Sequence, residues 1–189
     1  AQKVVGTNAY GVPNAKAGLI DSTGQEILPF EFDGFGTSFM LEEKRHFVAK
    51  KEGNWGLINS DHTVIIPFQH TKFIRKYELG GEPCFSLKDS TNSYYGILSL
   101  DNELIVPYEY KWFDECNGQL LEFVKEDGQG GLINAAGKEV FIGDYPGFAL
   151  LRDGYFQCVN SDGLNGIVSP DGKLILEPTF KGEIGRAHV

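Results

Sequence analysis

Histidine and cysteine are the side chains most often used for metal binding and nucleophilic catalysis, and their spacing here is typical of neither. The three cysteines include no C-x-x-C pair, and the four histidines show no pairing at metal-ligand spacing. The sequence also has no nucleophile elbow, phosphate-binding loop, H-E-x-x-H or dinucleotide fingerprint. We therefore expect no catalytic residue, no metal site and no cofactor, and we interpret Cys84, Cys116 and Cys158 as unpaired core residues.

Acidic side chains are plentiful, for example in Glu42-Glu43 and Glu126-Asp127. Paired carboxylates indicate hydrolysis only where they converge across a cleft. Because these acids lie near predicted strand ends, we interpret them as solvated residues of sheet edges, where charge deters edge-to-edge aggregation. A hydrolytic repeat therefore ranks below the binding functions considered below, and it requires two acids that meet in a pocket.

Large aromatic side chains outside the repeated core positions are the best candidates for ligand contact. Tyr10, Tyr94 and Trp112 have this property. On an exposed face such rings can stack on a sugar or anchor a protein partner. The alternative is that they are buried against the next repeat.

Composition narrows the class of protein and of partner. The chain has 189 residues, of which 41% are hydrophobic, and its 14 Phe, 24 Gly and 8 Pro favour many short strands over long helices. A net charge of −9 argues against nucleic acid and favours a neutral or cationic partner. No run of apolar residues in this fragment reaches the roughly 18 needed for a membrane span.

A repeat dominates the chain. Five glycines mark repeats 1 to 5, at intervals of 38, 40, 35 and 35 residues: Gly18, Gly56, Gly96, Gly131 and Gly166. An apolar pair follows each glycine directly, and a second pair lies nine and ten residues after it, as in Leu57-Ile58 and Ile65-Ile66. Turn residues separate the two pairs, so each repeat predicts a strand, a tight turn and a strand.

Proline and aromatic residues recur after the second pair. Because proline cannot donate to a ladder, we expect Pro29, Pro67 and Pro107 to end the second strand. Repeat 4 lacks this proline and is the degenerate copy. An aromatic ring or histidine stands fourteen residues after each glycine, and we expect this ring and the Phe at the seventeenth position to fill the core between neighbours. The seventeenth position is Phe in four repeats: Phe35, Phe73, Phe113 and Phe148.

A third strand precedes each later glycine, at residues 46–51, 84–88, 121–125 and 155–160. The predicted fold class is therefore all-β, with tandem antiparallel three-stranded units that form an elongated, solenoid-like stack. A β-propeller-like closure is the alternative.

The segment Trp55-Gly56-Leu57-Ile58-Asn59, followed by Ile65-Ile66-Pro67, resembles the signature of the WG (KWG) repeat proteins of bacteria. The resemblance extends over residues 16–181. The tryptophan position departs from the family pattern, because it holds Tyr95 in repeat 3 and Ala17, Gly130 and Asn165 in repeats 1, 4 and 5. The resemblance implies a bacterial protein and no shared catalytic residue, and it leaves both the cytoplasm and the cell envelope open as the compartment.

The register predicts three regions along the chain. Residues 1–15 form a partial N-terminal repeat strand, and residues 16–182 form the array of five units. Residues 183–189 carry Glu183 where the fifth unit should present Phe, and they read like a translated sequencing adapter. We therefore expect this segment to be a non-native tail.

The repeat architecture and the absence of a catalytic constellation favour a non-enzymatic module for binding or scaffolding, with a protein or a surface glycan as the partner. The alternative is an accessory or targeting region of a larger enzyme or toxin whose active domain lies outside this fragment.

Overall fold

The protein is described by a computed structural model that covers residues 2–7, 13–72, 74–89, 91, 93–145 and 147–182. These residues form nineteen β-strands, and the 3-10 turn Arg152–Gly154 is the only helical segment among them. The expected all-β fold class is confirmed. None of the described segments is an apolar helix of the length that a bilayer requires.

The strands form five meander sheets, in which each strand is hydrogen-bonded to its neighbours in sequence. The first sheet contains β1 (Gln2–Thr7), β2 (Pro13–Ile20) and β3 (Glu26–Phe32). The second contains β4 (Gly34–Leu41), β5 (Lys44–Lys51), β6 (Asn54–Asn59) and β7 (Val64–His70). The third contains β8 (Arg75–Leu79), β9 (Glu82–Lys88), β10 (Tyr95–Ser99) and β11 (Leu104–Tyr110). The fourth contains β12 (Trp112–Glu115), β13 (Leu120–Val124), β14 (Gly130–Asn134) and β15 (Glu139–Gly143). The fifth contains β16 (Gly147–Leu150), β17 (Phe156–Val159), β18 (Asn165–Val168) and β19 (Leu174–Phe180).

Four of the sheets have four strands, one more than the three expected for each unit. The added strand contains the seventeenth-position rings Phe35, Phe113 and Phe148. In the fourth sheet this strand pairs along its whole length with β13. This pairing satisfies the backbone hydrogen-bonding groups of β12. Phe113 is the single buried side chain of this strand, so its sequence shows little hydrophobic pattern. The choice between an open stack and a propeller-like closure stays a prediction.

The chain divides into two compact units. The first comprises residues 1–75 with the short segments 87–91 and 100–102, and the second comprises 76–86, 92–99 and 103–189. The first unit contains the first two sheets, and the second unit contains the last two sheets with most of the third.

Within each unit, a hydrophobic core joins the last strand of one sheet to strands of the next. In the first unit, Leu28 and Phe32 of β3 cluster with Phe47, Ala49 and Ile58 of β5 and β6. The second unit repeats this arrangement twice. One of its cores contains Val106, Tyr110, Phe113, Phe123 and Ile133, and the other contains Phe141, Phe156, Cys158 and Val168. Within each unit, neighbouring sheets therefore share a core, as in other repeat proteins.

Each repeat glycine except that of repeat 4 lies opposite a bulge. In repeat 2, Trp55 pairs with His70 and Leu57 with Ile66, so Gly56 faces three residues that include Pro67. Repeats 1, 3 and 5 have the same register. Our expectation that the prolines end the strands is therefore wrong, because the bulge interrupts the ladder where proline has no N–H to donate. In repeat 4, which lacks the proline, the glycine pairs directly across the ladder.

The bulge brings a ring over the glycine. A Cβ on Gly56 would lie 2.7 Å from Phe68 Cδ1, and a Cβ on Gly18 would lie 2.7 Å from Phe30 Cγ. Real Cβ atoms do not approach so closely, so these positions require glycine.

The residue three positions after each glycine closes the hairpin turn. Asn59 Oδ1 accepts hydrogen bonds from the backbone N–H groups of Asp61, at 3.0 Å, and Thr63, at 2.9 Å. The corresponding side chains make the same kind of bond in the other repeats: Asp21, Ser99, Asn134 and Ser169. Short polar side chains favour this turn for this reason.

Candidate functional site

Trp112 is an exposed aromatic residue on an edge strand. It begins β12, which pairs on one side only, with β13. Its side chain is 39% exposed, whereas its neighbour Phe113 is 3% exposed and belongs to the core. Because side chains alternate along a strand, Trp112 lies on the face opposite to Phe113.

The repeat does not require a large ring at this position. The strand registers make Trp112 equivalent to Gly34 of the second sheet and Gly147 of the fifth sheet. Two sheets thus form the same strand with no side chain there at all. The fold that these sheets share therefore does not require the indole.

Two carboxyl groups share this face of the sheet. Asp114 lies two residues after Trp112 and directly opposite Glu122 of β13. Opposed side chains in an antiparallel pair have Cβ atoms about 4.5–5.5 Å apart. Glu122 is half-buried, and its equivalents in the second and fifth sheets are Val48 and Gln157. An acid at this position is therefore another departure from the repeat pattern.

The protonation state of Glu122 is unusual. Burial, with a smaller contribution from Asp114, raises the pKa of Glu122 to about 7, although the backbone N–H of Phe148 donates a hydrogen bond to the carboxylate. Near neutral pH the Glu122 side chain can therefore act as either a donor or an acceptor. We name Trp112, Asp114 and Glu122 the Trp112 face.

The chemistry of the Trp112 face suits a polar ligand that has an apolar side. An indole offers a flat surface for stacking, and two adjacent carboxyl groups can bond hydroxyl or amino groups. The negative charge of the chain disfavours an anionic ligand at this face.

The sequence predicted Trp112 as a contact residue, and the other two predicted residues lie elsewhere. Tyr94 is half-buried, and its hydroxyl donates to Glu126 Oε2 at 3.1 Å, while Lys111 Nζ lies 3.1 Å from Glu126 Oε1. The Tyr94 hydroxyl is therefore engaged within the protein. Tyr10 lies outside the described residues.

The predicted core signature residues occupy the interior or its margin. Trp55 and Tyr95 are half-buried and pair with His70 and Tyr110 across the bulge. Phe35 and Phe148 pack against the cores, and Phe113 is part of one. Phe73 lies outside the described residues.

A groove of about 510 Å³ lies within the second unit. It is lined by Gln119, Leu120, Asn134, Ala135, Ala136, Pro170 and Asp171. Much of its polar lining serves the turns: Asn134 Oδ1 accepts from two backbone N–H groups, and the Asp171 carboxylate accepts from the Ser169 hydroxyl. This leaves fewer polar groups for a ligand than the Trp112 face offers.

The potential metal ligands and the cysteine thiols are dispersed through the part of the chain that the structure describes. No group of three or more potential metal ligands occurs among those residues. The three cysteines are free, and burial raises the pKa of Cys84 and Cys116 to about 12, which keeps both thiols protonated.

Sequence reasoning missed Asp114 and Glu122. They lie eight residues apart, and only the register of β12 on β13 brings them together. Alignment of the repeats carries one signal, because Glu122 stands where repeats 2 and 5 have Val48 and Gln157.

The segments of this chain that match a known family model follow the repeat register. The family model described as WG containing repeat matches residues 18–39 and 55–69. These segments begin at the anchoring glycine of repeat 1 and at the tryptophan before the glycine of repeat 2. No curated protein matches the chain significantly.

Proposed function

We propose that this WG-repeat protein is a non-enzymatic binding module, and that the Trp112 face binds a neutral or cationic glycan. The repeats provide a series of meander sheets, and the fourth sheet presents the contact residues on its first two strands, β12 and β13. The module acts by binding alone, without a cofactor.

The proposal rests on one observation: three residues that depart from the repeat pattern lie together on the same face of the fourth sheet. Trp112, Asp114 and Glu122 replace residues that are small, apolar or uncharged at the equivalent positions of the fifth sheet, which are Gly147, Ala149 and Gln157. An aromatic plane beside hydrogen-bonding carboxyl groups matches the two sides of a sugar ring.

Tryptophan fluorescence tests the proposal directly. The chain has two tryptophans, so a Trp55→Phe background leaves Trp112 as the only reporter. We would titrate this variant with neutral hexose oligosaccharides, N-acetylated amino-sugar oligosaccharides, their de-acetylated forms and a uronic-acid oligomer. A saturable change is expected with a neutral or cationic sugar and none with the uronic acid.

Substitutions then locate the site in the wild-type background by calorimetry. Trp112→Ala should weaken binding at least tenfold, which corresponds to about 1.4 kcal/mol. Tyr155→Ala is the matched control, because Tyr155 is 40% exposed and lies outside the Trp112 face. Its affinity should equal that of the wild type.

Three outcomes would contradict the proposal. The first is the absence of any response across the panel. The second is a protein partner that wild type captures and Trp112→Ala does not, which would assign the face to protein binding. The third is shortening of the oligosaccharides by wild type but not by Glu122→Gln, which would assign hydrolysis to the two carboxyl groups.

A further inference from the structure

The two carboxyl groups of the Trp112 face are each held by a backbone N–H group. Asp114 Oδ1 accepts a hydrogen bond from the N–H of Glu115 at 2.9 Å. The Glu122 carboxylate accepts one from the N–H of Phe148, on the edge strand β16 of the fifth sheet. A carboxylate has about four lone-pair sites on its two oxygens, so each group keeps acceptor capacity for a ligand.

No Lys, Arg or His side chain forms an ion pair with either acid in the part of the chain that the structure describes. The lysines that flank the site in sequence, Lys111 and Lys125, form ion pairs with other acids. Around Glu122, β14 contributes the apolar Leu132, and β16 has no titratable side chain. Cys116, directly after β12, is a neutral thiol, because burial raises its pKa to about 12. The two acids therefore have no counter-ion among the described residues.

A cation would stabilise this pair of acids. Burial and, to a smaller extent, the charge of Asp114 raise the pKa of Glu122 to about 7, so Glu122 carries a proton in mildly acidic solution. A cation between the two groups would offset their repulsion and favour the ionised form of both. Binding of a cation should therefore release the proton of Glu122.

Trp112 favours the same kind of ligand. It lies two residues before Asp114 on the same face of β12, which is a distance of about 7 Å along an extended strand. An indole attracts a cation within about 6 Å of its ring centroid, and it also stacks on the apolar face of a sugar ring. An amino sugar has both features, because its ring has an apolar face and its free amine is protonated below neutral pH.

From this arrangement we infer that the Trp112 face binds an amino sugar through its free ammonium group, which lies between Asp114 and Glu122 while the sugar ring stacks on Trp112. The inference rests on the proposed glycan binding and narrows it to de-acetylated amino sugars. N-acetylation should weaken binding, because a neutral amide has no charge to offset the two carboxylates.

Calorimetry with a matched pair of ligands tests the inference: a de-acetylated amino-sugar oligosaccharide and its N-acetylated form of equal length. At about pH 6, below the ordinary pKa of an amine, wild type should bind the de-acetylated form at least tenfold more tightly, which corresponds to about 1.4 kcal/mol. Asp114→Asn and Glu122→Gln should each bring the ratio of the two affinities close to one. Glu115→Gln is the matched control, because it removes the same charge from the opposite face of β12, and it should keep the wild-type ratio.

The same titrations in two buffers of different ionisation enthalpy measure proton release on wild type, without any substitution. At about pH 6, wild type should release close to one proton for each de-acetylated ligand that binds, and Glu122→Gln should release almost none.

The outcomes separate this inference from the proposed glycan binding. Equal affinity of wild type for the two ligands would overturn the inference and leave glycan binding intact, whereas no binding of either ligand would overturn both. A preference for the de-acetylated form that persists in Asp114→Asn and Glu122→Gln, or that occurs on wild type without proton release, would also overturn the inference, because it would place the ammonium group away from the two acids.

Discussion

The ring of Phe68 lies over Gly56, with Phe68 Cδ1 2.7 Å from the place where a Cβ would be. The carbonyl oxygen of Ile66 lies equally close to that point. Gly56→Ala must therefore displace either the ring or the bulged strand. Overpacking of this kind costs about 1–3 kcal/mol, and we expect a loss of that size in the free energy of unfolding measured in urea.

Gly34→Ala is the matched control. Gly34 also lies in a strand, but a Cβ there would meet no atom within 4 Å. Alanine should leave stability unchanged or raise it slightly, because it restricts the unfolded chain. Equal losses in both variants would contradict the role assigned to the ring over Gly56.

Phe113 and Trp112 are adjacent residues with opposite predicted roles. Phe113 is buried in the core of the second unit, so Phe113→Ala should cost about 3–5 kcal/mol of unfolding free energy. Trp112→Ala should cost less than about 1 kcal/mol, because the indole is exposed. Thermal and urea unfolding of the two variants measure the difference, and a loss under about 1 kcal/mol for Phe113→Ala would contradict its core assignment.

The repeat register and the hairpins could be predicted from sequence because glycine and the apolar pairs recur at fixed spacing. The bulge could not, because the rule that proline leaves a ladder predicted a strand end at Pro67, whereas the strand continues to His70. The fourth strand was also missed, since β12 has a single buried residue, Phe113, and so gives almost no alternating pattern.

The candidate site could also be predicted from sequence only in part. Trp112 stood out in sequence because it falls outside the repeated core positions. Asp114 and Glu122 did not, because their meeting depends on the length of the turn between β12 and β13, which the apolar pattern does not determine. Alternation within one strand can be read from sequence, but pairing across an irregular turn requires the structure.

His70 is a second point where the repeat departs from its own pattern. It is buried where repeat 1 has Phe32, and its Nε2 atom has no hydrogen-bond partner in the described part of the chain. An unsatisfied buried polar atom costs about 1–3 kcal/mol. His70→Phe should therefore raise the unfolding free energy at pH 7 by about 1 kcal/mol, as measured in urea.

The gain in His70→Phe should grow in acid. Burial lowers the pKa of His70 below its ordinary value of 6.5. Below pH 6.5 the unfolded wild type binds a proton that the folded protein resists, so His70 lowers the stability of wild type as pH falls, and the Phe variant lacks this contribution. His46→Phe is the control: His46 is also buried, but its Nδ1–H donates to the Lys44 carbonyl oxygen, so its replacement should bring no gain.

Glu122 should make stability fall as pH rises, the reverse of the usual carboxylate. Its folded pKa of about 7 exceeds the ordinary 4.5, so the folded protein holds a proton that the unfolded chain has released. The resulting stability is complete below pH 4.5 and is lost as pH rises through about 7. Glu122→Gln should match wild type at pH 4 and exceed it at pH 8.5 by about 1–2 kcal/mol, a range reduced to allow for solvent screening.

Two further variants test whether the raised pKa of Glu122, and not a general effect of charge, causes this pH dependence. Glu115→Gln removes the charge of an exposed acid on the same edge strand without touching the Asp114–Glu122 pair, and its pH profile of unfolding is the reference for the second variant. Asp114→Asn removes the carboxylate opposite Glu122, so the pKa of Glu122 should fall and the loss of stability should begin at lower pH. A profile that Asp114→Asn does not move would show that burial alone sets this pKa, and that the two carboxyl groups do not act together on the Trp112 face.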